Sequence, residues 1–221
     1  MTEAEWMVSE DPRLMIATLA NQSGVRKWRV FAIEAIARVL ANDFYYPQLE
    51  DIVQFGAAIA EDFQAAPWSQ EQQIRAELDE ALWEMCETLN RLAEAVQVTI
   101  EPHFLTFGHG LRVVEAITAA YQVGVVGSNG DEQFAHQAHL LREIFGNPFA
   151  YPFFKPKWRT TDVMLLAQGI YDAKAFDRMP ILADALQDAG CDSDDILNHG
   201  RDTALAHVRG CWVVDAVLGK E

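Results

Sequence analysis

The sequence predicts an all-α protein, a multi-helix bundle carrying a small helical C-terminal module. Three observations predict it. Apolar residues recur every three or four positions almost throughout, the period of a helix with one buried face. Capping residues, prolines and glycines stand where helices would start and stop. The strand signal is confined to VQVTIEP at 96–102, which is short and overlaps the end of a long helical pattern.

The elements follow in order. Thr2 with Glu5 forms a capping box for a short first helix. Asp11-Pro12 pairs an N-cap with proline at the first helical position and starts a second. Ser23 precedes a third, VRKWRVFAIEAIARVLA, whose apolar surface is broad enough to be buried on more than one side. A fourth is expected over 47–63. The fifth follows Ser69, where Ile74, Leu78, Leu82, Met85, Leu89, Leu92 and Val96 form a coiled-coil-like seam that needs a partner helix. A sixth is expected over 105–123, and a seventh runs from the Asp131 cap to Phe145-Gly146.

NPFAYPFFKPKW cannot be one helix, because its prolines lack the N–H and clash with the preceding turn. It reads as a connector, dividing the chain into a bundle over 1–148 and a module over 149–221. Four short helices are expected in the module, near 161–171, 178–188, 194–199 and 205–218.

Composition excludes several classes. The 221 residues carry a net charge of -16, and 43–103 alone hold 13 acids against Arg75 and Arg91. A phosphate backbone repels such a chain, so nucleic acid is not expected as a partner. No apolar run reaches the roughly 20 residues of a membrane span. The acidic start MTEAEWMVSEDP has no signal-peptide core, and a cytoplasmic location is expected. Cys86, Cys191 and Cys211 are too few and too scattered for a disulfide framework and read as packed thiols.

GxGxxG, the P-loop, GxSxG, HExxH and CxxC are all absent. Two clusters remain with metal-ligating chemistry. Glu132, His136, His139 and Glu143 fall within a stripe of about 60° on the seventh helix. Phe134, Ala138, Leu141 and Phe145 lie nearly opposite, so the stripe is expected to face water, whereas metal sites of helical bundles project inward. Cys191, His199, His207 and Cys211 form the second group, which could in principle make a tetrahedral zinc site although the spacing is not that of a zinc finger. His207 and Cys211, four apart on an expected helix, share a face with Val214 and Leu218 and should be buried. The simpler expectation is a buried histidine held by a carboxylate, with Asp184, Asp188 or Asp215 nearest in the sequence. No cofactor is predicted; zinc or another transition metal is the alternative these groups would serve.

LLREIFGNPF, AFDRMPILADALQDAGC and HVRGCWVVDAVLGK, with the start MTEAEW, resemble an uncharacterised family of helical proteins abundant in planctomycete bacteria. The resemblance covers about 140–221. That family often has cysteine after the histidine at His199, where this chain has Gly200. It also often has a shorter Gly/Pro-rich turn before HVRGCW, where this chain has Thr203-Ala204-Leu205-Ala206. The resemblance implies a helical packing module and brings no activity.

The expected role is therefore non-enzymatic: a protein-interaction or scaffold module with a protein partner or self-association. Its surface would be the acidic long helix or an aromatic groove of Phe149, Tyr151, Phe153, Phe154 and Trp158. The alternative is a metal-binding protein or metal-dependent enzyme using the His/Glu or His/Cys ligands above.

Overall fold

A computed structural model of the chain describes residues 1–19, 25–43, 130–150 and 154–220. Among the described residues there are eight α-helices and no strand, the all-α class expected. No described helix is long and apolar enough to cross a membrane. The seam from Ile74 to Val96, the helices expected at 47–63 and 105–123, Ser23, Cys86, Tyr151 and Phe153 lie outside the described residues.

The chain divides into two compact units, Met1–Leu141 and Arg142–Glu221. The expected division at 148/149 differs from this one in which unit takes the last turn of the helix ending at Phe145.

The first unit begins with α1 (Glu3–Val8). Its capping box is formed: Glu5 N–H donates to Thr2 Oγ1 at 3.3 Å, and Thr2 N–H donates to Glu5 Oε2 at 2.7 Å. Trp6 is the buried residue of this helix. α2 (Pro12–Leu19) starts where Asp11 Oδ1 accepts from the Arg13 N–H at 3.0 Å, and buries Met15, Ile16 and Leu19. α3 (Val25–Asp43) buries Val30, Phe31, Ala32 and Ile33 consecutively, so its apolar surface is as broad as the sequence indicates.

α4 (Gly130–Phe145) is the seventh helix expected from the sequence. It stops at Gly146, whose φ of +72° belongs to the left-handed region that glycine enters without strain, and whose N–H closes on Arg142 O at 2.9 Å.

The second unit comprises α5 (Thr161–Ala173), α6 (Met179–Asp188), α7 (Asp194–Arg201) and α8 (Trp212–Leu218). Single turns of 3-10 helix lie at Pro156–Trp158 and Phe176–Arg178. α6 packs on α7 and α5, and α5 packs on α8. Their shared core is built on Trp158, Ile170, Leu182, Leu186, Ile196 and Val214. The indole N–H of Trp158 donates to Gly190 O at 2.8 Å, which satisfies the ring's polar atom inside that core.

One helix is shorter than expected. The pattern over 205–218 yields a helix only from Trp212, with Cys211 as its N-cap. Gly210, at φ +83°, turns the chain out of helical geometry just before it. His207 therefore lies on the loop between α7 and α8. Its burial does not come from helical phasing with Cys211.

Candidate metal centre

Four side chains from four places in the second unit converge. Glu143 comes from the last turn of α4, His199 from α7, His207 from the following loop, and Cys211 caps α8. Each offers a ligand atom, and these atoms all lie within 4.8 Å of one another. Glu143 Oε1 is 3.0 Å from His207 Nδ1, and Oε2 is 3.3 Å from His199 Nε2. His199 Nε2 is in turn 3.3 Å from Cys211 Sγ. The imidazole rings meet edge to face, with centroids 4.9 Å apart.

The site is largely shielded from solvent. Side-chain exposure is 1% for Glu143, 4% for His207 and 12% for His199, and Cys211 is 0% exposed. A carboxylate taken out of water needs compensation. Burial acts to raise the Glu143 pKa, but its contacts with His199 and His207 and their charge outweigh this and hold the carboxyl at about 2. Burial, reinforced by the negative charge of Glu143, pushes the Cys211 thiol well above its ordinary range.

Polar capacity is left over inside the cluster. His207 Nε2 and Glu143 Oε2 are buried without a hydrogen-bond partner. The 3.3 Å approach of His199 to Oε2 is therefore an ion-pair distance without hydrogen-bond alignment. Buried polar atoms of this kind are uncommon in folded proteins and call for an explanation.

The arrangement does not fit nucleophilic catalysis. A Cys-His-Glu relay needs one ring nitrogen on the thiol and the other on the carboxylate. Here Cys211 Sγ and Glu143 Oε2 both approach Nε2 of His199. Moreover, burial holds Cys211 as the thiol rather than the reactive thiolate.

A tetrahedral metal fits better. Ligand atoms about 2.0–2.3 Å from a zinc ion stand roughly 3.3–3.8 Å from one another. The 3.0–3.3 Å separations and the 4.8 Å limit bracket that range. A donor set of two imidazoles, one carboxylate and one cysteine sulfur, whose proton the ion would displace on binding, suits zinc and its near neighbours.

The centre combines residues from both groups singled out in the sequence. Glu143 leaves the stripe of α4 to join His199, His207 and Cys211. The expectation that the whole stripe faces water is corrected at this residue, because the last turn of α4 is buried on several sides: Glu143, Ile144 and Phe145 are all inside. Glu132 and His136 are engaged elsewhere, within the first unit. Arg38 Nη2 lies 3.6 Å from Glu132, and Arg38 Nη1 lies 3.2 Å from His136 Nδ1. Burial above all, then the charges of Arg38 and His139, lower the His136 pKa to about 4. His139 stands beside His136, ring centroids 6.4 Å apart.

Cys191 is a second correction. It is buried but is not one of the four converging residues, because the turn that closes α6 places it in the core shared with Trp158 and Leu186. The carboxylate on His207 is likewise neither Asp184, Asp188 nor Asp215. Asp184 is paired instead with Arg201 at 2.7 Å.

The proposed aromatic surface is corrected too. Trp158 is 1% exposed and belongs to the core, and Phe154 packs edge-on against it at 5.3 Å, so only Phe149 of the described members is exposed. Nearby, Asp192 pairs with Lys155 at 2.6 Å, and Asp194 and Asp195 occupy the first turn of α7.

Comparison of the chain with protein-family models, curated proteins and solved structures finds no match.

Proposed function

We propose that the second unit is a metal-binding helical module that holds one zinc-class ion between Glu143, His199, His207 and Cys211. The carrying observation is the convergence of four metal-ligating side chains, remote in sequence, within 4.8 Å inside a buried site. With four protein ligands and little solvent access, the ion would be structural, since catalytic zinc keeps an open position. It would tie the end of α4, α7 and the start of α8 together, and its binding free energy would add to the stability of the unit.

The test is metal binding by the full chain. Stoichiometric zinc in purified protein, lost in Cys211→Ser and His199→Gln, supports the reading. Protein that takes up no zinc after purification and titration contradicts it.

An interaction role is a second reading, favoured by the large apolar side chains Leu165 and Ile181, which are 67% and 57% exposed. Self-association that persists on dilution, and is abolished by Leu165→Lys, supports it. A strictly monomeric protein at high concentration speaks against it.

A further inference from the structure

We infer that Trp212 is the positioning residue of this centre, the side chain that sets the spacing of three of its four ligands; this rests on the metal reading above. Three contacts carry the inference. A Cβ placed on Gly146 would lie 3.3 Å from Trp212 Cγ and 3.4 Å from Cδ2, so the indole lies directly against the turn that ends α4. That turn follows Glu143 by three residues and is closed by the Gly146 N–H on Arg142 O. The indole also stands 5.1 Å from the His199 ring, tilted by 52°. Finally, Trp212 directly follows Cys211 and begins α8, so its anchoring fixes the backbone that carries the thiol.

One rigid side chain therefore touches the segment bearing Glu143, touches the ring of His199 and is bonded to Cys211. His207 is placed by the His199 ring and the Glu143 carboxylate. A flat, stiff plate at this point holds the donors at the short separations a four-coordinate ion needs. Its loss would let the end of α4 and the His199 ring relax toward the vacated volume. The consequence is specific: the coordination geometry changes, not only the stability. Groups that orient metal ligands without binding the metal typically contribute about 10–100-fold to affinity.

Gly146 belongs to the same device. With φ +72° and the indole against it, it is both the stop of α4 and the surface on which Trp212 rests.

The experiment uses the full chain and cobalt(II) alone as the probe, because its visible spectrum reports coordination number. The wild type should show the intense bands of four-coordinate cobalt with a thiolate charge-transfer band. Trp212→Phe keeps an aromatic plate and should keep those bands. Trp212→Leu, folded by circular dichroism, should show weakened, shifted bands and a cobalt affinity lower by about tenfold or more. Bands and affinity of Trp212→Leu equal to wild type overturn the inference while leaving the metal centre standing. A wild type that gives only the spectrum of hydrated cobalt overturns the metal reading itself. Should Trp212→Leu not fold, Gly146→Ala probes the same contact from the other side. Unchanged bands there also overturn the inference.

Discussion

Glu143 and His207 are 64 positions apart in the chain, yet Oε1 of the first and Nδ1 of the second lie 3.0 Å apart with both side chains almost wholly buried. This pair joins the last turn of α4 to the loop before α8. It turns two unrelated sequence clusters into one centre.

Replacing Glu143 by Gln keeps the shape and removes the charge. His207 and His199 then face a neutral amide in a buried site. Leaving a buried polar group unpaired costs about 1–3 kcal/mol. The variant should unfold at a lower urea concentration than the wild type, with an unfolding free energy lower by about 1–3 kcal/mol. It should also bind zinc far more weakly. A variant as stable as the wild type would show that the carboxylate is not held as described.

The same residue predicts a pH dependence. Its folded-state pKa of about 2 lies below the ordinary 4.5, so the folded state takes up a proton less readily than the unfolded chain. The stabilisation is fully present above about pH 4.5 and is lost as the pH falls through that value toward 2. Denaturant midpoints measured across this window should fall less steeply in Glu143→Gln than in the wild type.

His136 acts in a different window, in the first unit. Arg38 presents a donor to Nδ1 at 3.2 Å, so this nitrogen accepts and the ring is neutral. The folded-state pKa of about 4 against 6.5 means that stability is lost as the pH drops from about 6.5 toward 4. A proton-detected histidine titration should place His136 well below a free imidazole. A midpoint near 6.5 would contradict the Arg38 contact.

Gly200 sets how closely α7 lies on α6. A Cβ there would stand 2.9 Å from the Cβ of Ala183, which is backbone-anchored and cannot swing away. Gly200→Ala should therefore destabilise the chain by about 1–3 kcal/mol through overpacking. Adding Ala183→Gly should recover much of the loss. No recovery in the double variant would place the strain elsewhere. The position beside His199 thus has no room for a larger side chain.

Local chemistry was legible in the sequence, and long-range chemistry was not. The Thr2–Glu5 box, the Asp11-Pro12 start and the Gly146 stop involve residues within a few positions of one another, so pattern alone finds them. The centre needs α4 and the C-terminal loop to meet, which no periodicity encodes. A helical wheel also assumes one environment along a helix. α4 breaks that assumption, since Glu132 is an exposed partner of Arg38 while Glu143 is enclosed in its last turn. Donor counting could not locate the centre, because Cys191 already completed the group of His199, His207 and Cys211 as a fourth ligand. Glu143 was already marked as a candidate. The shortened α8 could have been read from Gly210, directly before Cys211.

The central claim is that Glu143, His199, His207 and Cys211 bind one metal ion that stabilises the fold. The metal-stripped chain, titrated with zinc while thermal unfolding is followed, tests it most directly. Expected are saturation at one zinc per chain, a melting temperature that rises with zinc, and about 4 kcal/mol of added stability at a thousandfold excess over Kd. Cys211→Ser should abolish the rise. A melting temperature indifferent to zinc, or one that rises equally in Cys211→Ser, would contradict it.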